Sequence, residues 1–212
     1  MPKGSPELTN ARKGEIIAAC RSLYETMSFK DITIKEIGQQ TSFTRTSIYN
    51  YFETKEEIFL ALFAQEYELF AEDLDGLCRR EQALSLDELS SALARTLERR
   101  PLMLKLLSMN LYDMEENSRM ERLVEFKAAY GKSKEALDRC LITFCPRLSS
   151  EGRQTFLYAF LPFVYGLYPY TMVTEKQRKA MREAGISYVY MSTYEMACVF
   201  IRTLLGGLQC SR

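Results

Sequence analysis

"TRTSIYNYFETKEEIF", residues 44–59, contains a short helix, a break and the start of a second helix. Its first half offers Thr44, Arg45, Thr46, Ser47, Tyr49, Asn50 and Tyr51, with Ile48 the one aliphatic residue among them. Thr54-Lys-Glu-Glu57 then has the spacing of a capping box, in which a hydroxyl and a carboxylate three residues apart satisfy the free N–H groups of a helix start. A helix this polar faces either plain solvent or a polar partner.

Upstream, Thr33-Ile-Lys-Glu36 is another capping box, and Thr44 has the residue type of an N-cap. The spacing predicts a helix over 33–40, a turn at Thr41-Ser42-Phe43 and a helix over 44–51, the helix-turn-helix arrangement. Before it, Ile16, Cys20, Leu23, Tyr24 and Met27 recur at helical spacing within 8–27. The major groove of DNA admits one α-helix, whose N-terminal residues meet base edges. In that geometry Thr44, Arg45, Thr46 and Ser47 reach bases, while Ile48 and Phe52 turn inward with Phe43 and Ile37. Tyr49, Asn50 and Tyr51 are left for phosphates or bases. Lys55, in the first turn of the next helix, adds a cation where backbone N–H groups already attract anions, making a phosphate clamp.

Downstream the helical period continues from Lys55 to about Asp75 through Ile58, Leu62, Tyr67, Phe70 and Leu74, with Gly76 as the expected stop. Such a helix is roughly 30 Å long, enough to leave a small domain and enter another. Further helices are expected at 86–99, 101–113, 118–140, 149–168, 174–184 and 190–206, with Pro101 in a first turn and Pro162 bending its helix. No strand-like alternation persists. The expected fold is all-α, a three-helix head over 1–54 followed by a larger helical domain over 55–212.

Composition narrows the function. The 212 residues are 47% hydrophobic, enough for a real core, and 28 Lys/Arg balance 28 Asp/Glu. Residues 1–55 carry eight basic against six acidic side chains, a mild positive bias. Histidine is absent, which removes the commonest general base and metal ligand. There is no G-x-S-x-G elbow and no phosphate loop, so an enzyme is not expected. The six cysteines form no C-x-x-C pair and are expected as reduced structural thiols, with no metal site and no cofactor. MPKGSPELTN does not resemble a signal peptide, and the longest apolar run, 156–170, is too short to span a bilayer and contains Pro162 and Gly166. The expected location is cytoplasmic.

Residues 11–62 resemble the DNA-binding domain of TetR/AcrR-type transcription regulators. The resemblance rests on Ile16-Ile17-Ala18-Ala19, Phe29, Thr33-Ile34-x-Glu36-Ile37 and Thr44-x-x-Ser47-Ile48-Tyr49-x-Tyr51-Phe52-x-x-Lys55-Glu56-Glu57-Ile58. It implies that 44–51 is the recognition helix. It also implies that Thr33, Arg45, Thr46, Ser47, Tyr49, Asn50 and Lys55 occupy DNA-contacting positions, and that 56–212 is a ligand-binding and dimerisation domain. Three residues depart from the family pattern. Ser28 and Ser42 stand where glycine is usual, and Thr46 where a small residue is frequent. A serine forced to positive φ costs about 1 kcal/mol, so slightly altered turns are expected.

By the same resemblance two C-terminal helices pair with those of a second copy. The candidates for this homodimer interface are Phe156, Phe160, Phe163, Tyr190, Tyr194, Val199 and Leu204, which could instead fill the monomer's own core. Met103, Met109, Tyr112, Phe126, Tyr130, Tyr158 and Tyr165 are candidates for an adaptable apolar pocket, the alternative again being core packing. The function expected is a dimeric repressor released from a palindromic, double-stranded DNA operator by an apolar or amphipathic small-molecule effector. An activator or ligand-independent regulator is the alternative, with a helical enzyme or protein-only adaptor more remote.

Overall fold

The computed structural model describes residues 5–79, 83–109 and 111–210. Among these residues the structure is all-α, as the periodicity predicts, with eleven helices and no strand. α1 (Pro6–Thr26) begins at Ser5, whose hydroxyl accepts from the Leu8 N–H at 3.3 Å, with Pro6 in the first turn where its missing N–H costs nothing. α2 (Ile34–Gln39) starts at Thr33, which accepts from the Lys35 and Glu36 N–H groups at 3.2 and 3.4 Å. α3 (Arg45–Ile48) is shorter than expected. Its end tightens into three-residue turns, with the Asn50 N–H donating to Ser47 O and the Tyr51 N–H to Ile48 O.

α4 (Lys55–Cys78) runs through Gly76 instead of stopping there. One interior glycine costs only about 1 kcal/mol, and Leu77 beside it is buried. α5 (Leu86–Glu98) opens with a complete capping box between Ser85 and Glu88. The helix expected at 101–113 is two, α6 (Pro101–Leu107) and α7 (Leu111–Glu116). Ser108 Oγ donates to Lys105 O at 2.7 Å and the Met109 N–H turns back to Leu106 O, closing off α6. α8 (Met120–Phe144), α9 (Ser150–Thr171), α10 (Glu175–Glu183) and α11 (Thr193–Cys210) complete the chain, with Pro162 and Pro169 both inside α9. α10 ends at Gly185, whose φ of 69° suits glycine, and the Ile186 N–H reaches back to Met181 O at 3.0 Å.

Packing divides the chain into two compact units, Met1–Glu66 with Asn110–Tyr130, and Tyr67–Met109 with Gly131–Arg212. The first holds α1–α3, the start of α4, α7 and the start of α8. Its core gathers Ile16, Cys20, Ile37, Ile48, Phe52 and Ile58, all at 0–1% exposure. Tyr24 and Phe29 meet Phe59 edge-on at 5.1 and 4.8 Å between ring centres. In the second unit α11 lies against α5 and α9, and α6 against α9. Leu93, Leu97, Leu104, Leu141, Ile201 and Leu205 are buried there. No single helix among the described residues is long and apolar enough to cross a membrane.

Candidate nucleic-acid interface

The face expected at 44–51 forms on the first unit. Thr44, Arg45, Thr46, Tyr49 and Asn50 are exposed and Ser47 is partly so, while Ile48 and Phe52 beneath them are buried. Apolar residues one turn apart therefore anchor a four-residue helix that could not persist alone. Thr44 does not cap it. Its hydroxyl lies 3.0 Å from that of Ser47, leaving both near the exposed helix start. Arg45 extends toward Tyr49, with Nη2 3.3 Å from the phenol oxygen, so the two side chains of the face are oriented together.

Tyr51 is a correction. It is 8% exposed, its ring is 6.5 Å from that of Phe43, and it belongs to the core rather than the polar face. The turn that ends α3 rotates it inward. Thr33 remains exposed, but its oxygen is engaged in starting α2 and pairs with the Glu36 carboxylate. Lys55 is more constrained than a free phosphate clamp. Its ammonium donates to Phe29 O at 2.8 Å and Ile32 O at 3.2 Å, and sits 4.1 Å from the Phe29 ring centre. It holds the α1–α2 loop to the start of α4.

Three further residues support this face, of which only Glu57 carries a local signal, its capping-box spacing from Thr54. Gly38 lets α2 and α3 approach closely, since a Cβ there would lie 3.3 Å from both Cα and Cβ of Arg45. Glu15 on α1 accepts from the Ser42 N–H and hydroxyl in the turn. No non-glycine residue among those described has positive φ, so Ser28 and Ser42 fit their turns without that strain. The third support is Glu57, fully buried at the start of α4. Its carboxylate receives Arg119 Nε at 2.6 Å, Arg119 Nη2 at 2.7 Å, and the N–H groups of Arg119 and Glu53. Burial alone would raise its pKa, but these donors outweigh it and hold the carboxyl below its ordinary range. Thr54 accepts the Glu57 N–H and donates to Asn117 O at 2.9 Å, so the expected capping box is half formed and its carboxylate serves Glu53 and Arg119 instead.

The residues expected to form a pocket fall in both units. Tyr112, Phe126 and Tyr130 belong to the first unit, and Met103, Met109, Tyr158 and Tyr165 to the second. Tyr112 and Tyr158 are exposed, Met103 is buried, and Phe126 is buried 5.2 Å from the ring of Phe63. Tyr165 points its hydroxyl at that of Tyr67, 3.5 Å away. A groove of about 540 Å³ in the second unit includes Tyr158, but with Lys134, Asp138 and Arg153 it is open and charged. The expected dimer residues also separate. Phe156 and Phe160 are buried and stacked at 5.4 Å, so they are monomer core, a correction that follows from both facing inward on α9. Phe163 stacks on Phe200 at 3.8 Å, and Tyr194 bonds Ser91 at 2.9 Å beneath Arg95. Tyr190 is half-buried beside Arg178, Leu204 is half-buried, and Val199 is exposed.

With this geometry in view, two family models match the chain. The profile described as Tetracyclin repressor-like, C-terminal domain, matches residues 64–212, and that of bacterial regulatory proteins, tetR family, matches 16–62. A curated relative, the uncharacterized HTH-type transcriptional regulator YfiR of Bacillus subtilis (strain 168), is 31% identical over 58 residues. The match spans 27% of this chain and 28% of that protein's length. Among solved structures, the fatty acid degradation regulator FadR of Bacillus halodurans aligns with a TM-score of 0.56 at 16% identity, covering 99% of each chain. FadR of Bacillus subtilis in complex with stearoyl-CoA aligns with a TM-score of 0.52 at 16% identity, covering 92% of this chain and 98% of that one. At these identities the structural matches establish the shared fold.

Proposed function

The chain belongs to the TetR family of bacterial regulatory proteins, and on that premise we propose that it is a cytoplasmic homodimeric repressor that leaves a palindromic operator when an apolar or amphipathic small molecule binds its regulatory unit. The observation that carries this reading is the exposed set Thr44, Arg45, Thr46, Tyr49 and Asn50 held over buried Ile48 and Phe52. One such helix reads few bases, and two-fold proteins gain specificity by reading two half-sites. Support for self-association comes from apolar side chains left in solvent on the second unit, among them Tyr158, Tyr170, Met172, Val189 and Val199. The stearoyl-CoA held by the structurally similar FadR supports an amphipathic effector and makes long-chain acyl-CoA the first compound to test.

α4 is continuous from Lys55 to Cys78 and joins the two units covalently. A ligand shifts operator affinity through such a helix only by binding its two positions unequally. A ligand-independent regulator is the second reading, favoured by the close packing of Met103. A mobility-shift titration separates the two. The protein is expected to retard the DNA upstream of its own gene as a dimer, and acyl-CoA or another amphiphile is expected to release it. Retention of the complex across a broad effector panel favours the second reading, and no sequence-selective retardation of any genomic fragment overturns both.

A further inference from the structure

Two thiols in the second unit lie close together. Cys78, the last residue of α4, has its sulfur 2.8 Å from that of Cys140 on α8. A disulfide requires about 2.05 Å, so bonding closes the gap by about 0.8 Å. The pairing of the two helices holds this register. Arg139, next to Cys140, grips the carboxylate of Asp75, one turn before Cys78, through Nη2 at 2.8 and 3.0 Å and Nε at 3.1 Å. Lys132 and Glu68 meet 3.5 Å apart further along the same helix pair, and Cys140 Sγ lies 3.3 Å from Leu74 O.

The two sulfurs differ in access. Cys140 is at 0% exposure, whereas Cys78 is half-buried and lines an open groove of about 520 Å³ with Asp75, Arg79, Arg139 and Ile142. We propose that Cys78 and Cys140 are a thiol–disulfide exchange site that takes small-molecule disulfides of the glutathione type. The Cys78 thiolate attacks one sulfur of the reagent RSSR, forming Cys78–S–S–R and releasing RS⁻. Cys140 then gives up its proton as its sulfur attacks that of Cys78, and the second RS⁻ leaves. Two protein thiols and RSSR become one protein disulfide and two RSH, so the protein is oxidised by two electrons and the reagent reduced by two. Burial pushes the Cys140 thiol well above the ordinary thiol range, which assigns the first attack to Cys78 and the resolving step to Cys140. In a reducing compartment such a bond is transient and reports redox state instead of bracing the fold. This assignment is independent of any DNA-binding role.

The test uses the folded 212-residue chain, reduced and then incubated with glutathione disulfide. Free thiols are counted after denaturation and peptides are mapped without reduction. The expected result is loss of two thiols, a crosslink between the peptides containing Cys78 and Cys140, and recovery of both thiols on adding dithiothreitol. Cys140→Ser is expected to stop at a single glutathione adduct on Cys78, and Cys78→Ser to leave Cys140 reduced. Unchanged thiols in the wild type, a persistent adduct on Cys78 with Cys140 still free, or a crosslink between other cysteines each overturn the proposal.

Discussion

Arg119 grips the fully buried carboxylate of Glu57 with both Nε and Nη2, at 2.6 and 2.7 Å, across 62 positions of sequence. The same guanidinium reaches Glu53 at 3.2 Å and Tyr51 O at 3.4 Å, so the loop before α8 is fastened to the segment that follows the polar face. Removing Arg119 strands a buried carboxylate. Breaking a buried pair costs about 3–5 kcal/mol, but Arg119 is 38% exposed on its outer side, so about 2 kcal/mol is expected for Arg119→Ala. Chemical denaturation of wild type and variant measures it. The contribution is also pH-dependent. Because the folded pKa of Glu57 is depressed from 4.5, the stabilisation is present above that value and is lost as pH falls through the lower folded value. The gap in stability between wild type and variant should therefore shrink in acid.

Gly38→Ala is expected to lower DNA affinity more than stability. The added methyl meets the backbone of Arg45 at 3.3 Å, closer than ordinary contact, so α2 and α3 must shift apart slightly to accommodate it. Mobility shifts and thermal melts on the same preparation check this. Unaltered affinity would show that α3 tolerates the displacement.

For Lys55→Ala two readouts separate two roles. Loss of the bonds to Phe29 O and Ile32 O should lower Tm whatever the DNA role, because two partly buried carbonyls lose their donor. If Lys55 also meets phosphate, the dependence of log K on log salt should fall by about 2 for a dimer. A lower Tm with an unchanged slope would restrict Lys55 to bracing the loop.

What was legible in the sequence is what local spacing encodes. Capping residues locate the starts of α2 and α4, at Thr33 and Thr54, and apolar residues three and four apart locate the inward faces of α1, α2 and α3, including Ile16, Cys20, Ile37, Ile48 and Phe52. Partners distant in sequence were not legible, since nothing near Glu57 announces Arg119 and nothing near Cys78 announces Cys140. The apolar stripe of α9 shows that Phe156 and Phe160 are buried, not whether the covering surface is their own chain or a second copy. Tyr51 shares its residue type with Tyr49, and only the turn that ends α3 directs one inward and the other into solvent. Gly38 looks like an ordinary helix residue until the neighbour that crosses it is known.

Arg45→Ala is expected to relax preference at one base pair in each half-site, at about 1–3 kcal/mol per contact, while leaving binding to random DNA nearly unchanged. The structure motivates the choice because Arg45 is exposed, begins α3, and is steadied by the Tyr49 hydroxyl 3.3 Å away. Tyr49→Phe should then show a weaker form of the same defect. An equal fall on specific and random DNA would make Arg45 a backbone contact.

Self-association is tested by Val199→Glu. Val199 is 47% exposed on α11, whereas Phe156 and Phe160 are internal, and a charge at either of those would unfold the unit without addressing the interface. A glutamate at an exposed position costs the monomer little, but on a paired apolar surface it must be desolvated without a partner. Sedimentation should find the wild type dimeric and the variant shifted toward monomer at micromolar concentration, with helical circular dichroism unchanged. Operator affinity should fall with the dimer fraction, because each monomer retains one half-site's contacts and loses the second. Tyr158→Glu provides the matching test on α9, where the side chain is 65% exposed. If both variants remain dimeric, the copies meet through another surface; if the wild type is itself monomeric at that concentration, the homodimer reading fails.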